Sequence, residues 1–79
     1  MRYANPIRRR HVESSAVRSI GYDPGNWVLQ IEFDNRQVYN YFRVPPEEYA
    51  RLLNADSIGK YINREVKPYY DCERLDDDD

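Results

Sequence analysis

A chain of 79 residues with a net charge of −2, an apolar share of 41% and one cysteine has room for one domain built around one core. The lone Cys72 rules out an internal disulfide framework, no apolar run approaches the ~20 residues that span a bilayer, and the N-terminus lacks the apolar segment of a secretory signal. The expectation is a soluble cytoplasmic protein in which eight Tyr, two Phe and one Trp supply much of the buried area.

The small net charge hides an uneven distribution. Residues 1–20 carry Arg2, Arg8, Arg9, Arg10 and Arg18 against Glu13, a balance of +4, whereas residues 71–79 carry Asp71, Glu73 and Asp76 to Asp79 against Arg74, a balance of −5. Charged termini with few apolar residues usually stay solvated. The reading is therefore a basic disordered arm over 1–11, a folded domain over 12–70 and an acidic disordered tail over 71–79, with removal of either tail expected to leave the fold intact. In the arm, Arg8, Arg9 and Arg10 offer phosphate contacts. The terminal Asp run lacks the fixed cage that a divalent cation needs, so no metal site is expected.

Within the domain, Val17, Ile20 and Tyr22 mark a first strand with imperfect alternation, ended by Tyr22-Asp23-Pro24-Gly25-Asn26, a run rich in turn residues. Trp27, Leu29, Ile31 and Phe33 then alternate with Val28, Gln30, Glu32 and Asp34, and this period of two predicts a second strand with a core face. After Asp34 to Gln37, residues Val38 to Val44 are rich in aromatic and β-branched side chains and predict a third strand. Val44-Pro45-Pro46 closes the sheet and opens a helix, with Glu47 and Glu48 favourably placed in its first turn. Tyr49, Leu52 and Leu53 form its apolar stripe. Ser57 is the expected cap of a second helix, in which Ile58, Tyr61, Ile62 and Val66 follow helical spacing until Pro68 ends it. The predicted class is α+β: a three-stranded antiparallel β-meander followed by two helices packed on one face (β-β-β-α-α).

Taken together, Ser14-Ser15, Ile20, Tyr22-Asp23, Leu29, Ile31, Phe33, Tyr39-Asn40-Tyr41, Val44-Pro45, Tyr49, Leu52, Ala55, Ser57, Gly59, Tyr61 and Asn63 resemble a KTSC domain. The likeness runs over about residues 14–70, and its hallmark is the central tyrosine–any–tyrosine motif. The resemblance implies a domain found at the C-terminus of some lysyl-tRNA synthetases and as freestanding bacterial or phage proteins, with RNA binding as its suggested role. One departure concerns the turn before the third strand, where the family commonly has Gly and this chain has Arg36.

That turn matters because a one-residue change of register moves every side chain of a strand to the opposite face. A two-residue loop, Asn35-Arg36, pairs Phe33 with Val38 and turns Tyr39 and Tyr41 outward, toward a base-stacking sheet face. A three-residue loop with a bulge pairs Ile31 with Tyr39 and turns both tyrosines toward the helices. The sequence leaves both registers open.

Lys60, Arg64 and Lys67 at i, i+4 and i+7 define one basic face of the second helix, with Asn63 beside them. With Tyr39, Tyr41 and Arg43 they make up the candidate nucleic-acid-binding set. His11 and Cys72 both fall outside the expected fold, Ser14, Ser15, Ser19 and Ser57 have no histidine within it, and Gly21, Gly25 and Gly59 do not form a phosphate loop. The expectation is a non-catalytic binding module without cofactor, membrane or small-molecule substrate. RNA is its expected partner, and the alternative is a protein partner or homodimer acting through the sheet edge or the aromatic surface.

Overall fold

The computed structural model describes residues 5–75. Five strands, β1 (Arg10–His11), β2 (Val17–Asp23), β3 (Val28–Phe33), β4 (Val38–Tyr41) and β5 (Cys72–Leu75), form one antiparallel sheet in sequence order. Between β4 and β5 the chain forms α1 (Pro46–Leu53) and α2 (Ile58–Tyr61), and α2 continues into one wide turn over Ile62–Val66. The expected three-stranded meander is present as β2 to β4, but it is the middle of a larger sheet rather than the whole of it.

The β3–β4 turn decides the register. Arg36 N–H donates to the Phe33 carbonyl at 2.9 Å, Phe33 N–H donates to the Gln37 carbonyl at 2.9 Å, and Arg36 sits in the left-handed region at φ 71°. Asp34, Asn35 and Arg36 thus make the three-residue loop with its extra left-handed residue. Ile31 then pairs with Tyr39 and Leu29 with Tyr41, so both tyrosines share the face of the core residues. The outward-facing tyrosine platform allowed by the other register does not form.

The imperfect alternation of β2 has a similar cause. Val17 pairs with Phe33 and Ser19 with Glu32, with a register shift at Arg18 between them, so one extra residue brings Val17 and Ile20 onto the same face. The β2–β3 turn is closed by Asn26 N–H on the Asp23 carbonyl at 3.3 Å and by Asp23 Oδ1, which accepts from Gly25 N–H at 3.0 Å. Its left-handed residue is Trp27 at φ 57°, not Gly25. Trp27, expected to begin the core face of the second strand, is therefore 46% exposed at the turn.

The helices cover the tyrosine face. Ile20, Leu29, Ile31 and Tyr41 from the sheet meet Val44, Leu52, Ile62 and Val66 in one buried cluster. Tyr22 stacks on Tyr49 of α1 with ring centroids 4.6 Å apart, and its hydroxyl donates to the Val44 carbonyl at 2.5 Å. Ser57 caps α2 by accepting from Lys60 N–H at 3.2 Å, as its residue type suggests. Glu48 is a buried carboxylate on α1 that ties three segments together. It accepts from the hydroxyl of Tyr61, accepts from that of Tyr70 at 3.1 Å, and pairs with Arg51 at 3.5 Å.

The other face of the sheet is polar and partly covered by the N-terminal segment. Gln30 donates from Nε2 to Asn40 Oδ1 at 2.9 Å in a buried pair, and Arg9 donates to Gln30 Oε1 at 2.5 Å and to Ser19 Oγ at 2.9 Å. Gly21 lies beneath this segment; a Cβ there would stand 2.5 Å from the Arg8 carbonyl oxygen.

The expected disordered arm and tail are both corrected where the structure describes them. Arg10 and His11 pair with Ile20 and Ser19 as β1, and Cys72–Leu75 pairs along β4 as β5. Their polar composition hides this because each forms by pairing with a sheet edge whose backbone groups would otherwise lack partners, not through a periodicity of its own. The ends of the predicted arm and tail, residues 1–4 and 76–79, lie outside the described residues.

Candidate nucleic-acid interface

Because Tyr39 and Tyr41 face the helices, they line a groove of about 530 Å³ between the sheet and α2. Its floor is a row of aromatic rings. Phe33 and Tyr39 meet edge to face with centroids 5.7 Å apart, and Tyr39 and Tyr41 are separated by 6.3 Å. Tyr41 is 3% exposed and belongs to the core, whereas Tyr39 is half-buried and open to the groove. Burial pushes the Tyr41 phenol up to about 12, with smaller contributions from Cys72 and Tyr39, so it is neutral at physiological pH.

Gly59, Asn63 and Lys67 supply the helix wall. Lys67 Nζ stands 5.0 Å from the centroid of the Phe33 ring, a cation–π distance that places its charge at the groove's aromatic edge. Gln37, Asn35 and Asp34 form the end nearest the β3–β4 turn, and Cys72 lies opposite Tyr41 on β5. The site therefore combines ring faces, side-chain amides and an ammonium group.

The candidate residues do not form one surface. The expected basic face of Lys60, Arg64 and Lys67 is split: Lys60 and Arg64 line a second depression with Asn54 to Ser57 and Tyr61, while Lys67 and Asn63 face the tyrosine groove. The cause is the wide turn, in which Lys67 N–H donates to the Ile62 carbonyl at 2.9 Å. This i to i+5 bond adds a residue to the turn and rotates Lys67 away from α-helical spacing. Arg43, at φ 61°, is exposed and pairs with Asp71 at 3.9 Å, outside the groove lining. All three arm arginines are exposed, and Arg9 is also hydrogen-bonded to Ser19 and Gln30 on the polar sheet face.

Sequence reasoning missed Arg74. It pairs directly with Tyr39 across β4 and β5, and directly opposed residues carry their side chains on the same face of a sheet. Four residues inside an acidic run gave no strand signal. His11 and Cys72, the residue types of a thiol–imidazole pair, lie on β1 and β5 at opposite edges of the sheet. Among the described residues no group of three or more His, Cys, Asp or Glu is placed to hold a metal, and no helix is long and apolar enough to cross a membrane.

Comparison with known proteins agrees with this architecture. Residues 13–70 match the KTSC domain family. An uncharacterized protein of Stutzerimonas stutzeri is 42% identical over 71 residues, covering 89% of this chain and 100% of that protein. A lysine–tRNA ligase of Nostoc punctiforme is 38% identical over 63 residues, covering 80% of this chain but 11% of the ligase. The crystal structure of a KTSC domain protein from Yersinia pestis superposes with a TM-score of 0.86 at 32% identity, covering 90% of this chain and 100% of that one.

Proposed function

This chain belongs to the KTSC domain family, and we propose that it is a non-catalytic cytoplasmic module that binds single-stranded RNA in the groove between β3, β4 and α2. The observation that carries the reading is the juxtaposition of the accessible Tyr39 ring with Asn63 and Lys67 from the facing helix. A ring face stacks a base, an amide pairs with its edge, and an ammonium group meets phosphate. The likeness to part of a lysine–tRNA ligase, a protein that by its name acts on tRNA, supports RNA over other polyanions.

Fluorescence anisotropy with a labelled single-stranded RNA tests this. Tyr39→Ala should cost ~1–3 kcal/mol of affinity, the usual value of one stacked base, in a protein that remains folded. Lys67→Gln should weaken binding to all sequences and lower the salt slope by ~0.7. Absence of binding at low salt, or an unaltered affinity in both variants, rejects the reading.

The second reading, a protein partner or second copy, rests on β5 being the edge strand of the sheet, since such an edge accepts an added strand. A pull-down with nuclease treatment separates the two. Partners lost on RNA digestion support the first reading and proteins retained support the second.

A further inference from the structure

Building on the RNA reading, we infer that the groove prefers guanine, whose N1–H and 2-amino hydrogens are taken by the Asp34 carboxylate at the turn end of the site. The β2–β3 and β3–β4 turns each carry an aspartate, and the structure uses the two differently. Asp23 Oδ1 accepts from Gly25 N–H at 3.0 Å and Asn26 N–H at 3.3 Å, and its Oδ2 accepts from Asn26 Nδ2 at 2.9 Å, so this carboxylate is consumed in closing its turn. In the β3–β4 turn Asn35 takes that part, its Oδ1 accepting from Gln37 N–H at 3.0 Å. Asp34 is held through its backbone instead, where its N–H donates to the Ala16 carbonyl at 2.9 Å. Its exposed side chain lines the groove, and among the described residues no hydrogen bond or ion pair engages its carboxylate. The ammonium group of Lys67 stands over the Phe33 ring.

A free carboxylate in a site for a polyanion costs affinity unless the bound base offsets it. An ionised carboxylate accepts hydrogen bonds through two oxygens and donates none, so it sorts the bases by their edges. Guanine presents two adjacent donors on its pairing edge, N1–H and the 2-amino group, and occupies both oxygens. Adenine and cytosine present one amino group beside an acceptor, and uracil presents one N–H between two carbonyls that the carboxylate repels. The contact therefore discriminates by repulsion as well as by attraction. The rest of the polar rim of guanine carries acceptors, O6 and N7, which suit the side-chain amide of Asn63 on the helix wall. The Tyr39 ring supplies the stacking face, and it lies 5.7 Å from the ring of Phe33, the residue that precedes Asp34.

The test is fluorescence anisotropy with labelled strands: an oligouridine carrying one central guanosine, the same strand with adenosine in its place, and the unbroken oligouridine. The wild-type chain should bind the guanosine strand about tenfold more tightly than the other two, within the discrimination of one bidentate base contact. Inosine at the centre keeps N1–H but lacks the 2-amino group, and should forfeit part of that preference. Asp34→Asn should weaken binding of the guanosine strand several-fold while leaving the other two equal or tighter, because it also removes a negative charge facing the phosphates. Its thermal unfolding should stay close to wild type. Guanosine monophosphate should compete better than adenosine monophosphate, and both more weakly than the guanosine strand; a monophosphate that binds as tightly as the strand overturns RNA as the source of the base. Equal wild-type affinity for the three strands, or a shift of all three in the same direction in Asp34→Asn, overturns the guanine preference and leaves the RNA reading standing. Failure of every strand to bind the wild-type chain removes that reading, and this inference with it.

Discussion

Arg36 donates its backbone N–H to the Phe33 carbonyl at 2.9 Å, and its left-handed φ of 71° turns Tyr39 and Tyr41 toward the helices. A non-glycine residue pays steric strain in this region, roughly 1–2 kcal/mol, partly offset by the smaller entropy it loses on folding compared with Gly. Arg36→Gly should therefore stabilise the fold by up to about 1 kcal/mol without changing the register. Urea unfolding measures it, and a loss of stability beyond ~0.5 kcal/mol would show that the Arg36 side chain contributes a contact the turn geometry does not reveal.

Gly21 tests the packing of the N-terminal segment. A Cβ at this position would meet the Arg8 carbonyl at 2.5 Å and the Ile7 side chain at 2.7 Å, and the backbone atom cannot swing aside. Gly21→Ala should cost ~1–3 kcal/mol, the usual penalty of overpacking. Faster amide exchange at Arg10 and His11 should accompany the loss, because β1 is held by the same segment.

Removal of β5 should be costly. A chain ending at Asp71 uncovers the outer edge of β4, where Cys72 to Leu75 pair with Tyr41 to Val38, and it also loses the cover beside the tyrosine groove. The midpoint of thermal unfolding should fall by more than ~8 °C, since ~1 kcal/mol shifts a domain of this size by about 4–8 °C. This reverses the expectation from composition that the acidic tail is dispensable.

Alkaline pH should destabilise the protein through Tyr41. Its phenol is raised from the ordinary value of 10.0 to about 12 by burial, then by Cys72 and Tyr39. The unfolded chain thus releases this proton first, and stability present below pH ~10 declines as pH rises toward 12. Tyr22, Tyr49, Tyr61 and Tyr70 are shifted in the same direction. Tyr41→Phe should flatten part of the decline in denaturant melts run between pH 9 and 12, and an unchanged profile would contradict a buried neutral phenol.

The sequence made the middle of the fold legible and the periphery obscure, for a physical reason. Leu29, Ile31, Leu52, Ile62 and Val66 carry local periodicity, and all are buried. β1 and β5 carry almost none; their residues become strands only because β2 and β4 already present unpaired edges. In the candidate site, Tyr39, Tyr41, Asn63 and Lys67 were visible as residue types, but their convergence depended on two departures from regular spacing. One is the left-handed Arg36, which sets the tyrosine face. The other is the wide turn over Ile62–Val66, which separates Lys67 from Lys60 and Arg64.

The most direct measurement is the map of amide chemical shifts in the ¹⁵N-labelled chain as single-stranded RNA is added. RNA seated in the groove should perturb Tyr39, Gly59, Asn63 and Lys67 together, and leave Lys60, Trp27 and the polar face around Gln30 and Asn40 nearly unchanged. Perturbations centred on Lys60 and Arg64, or on the exposed Trp27 end of the sheet, with the groove residues still, would contradict the account.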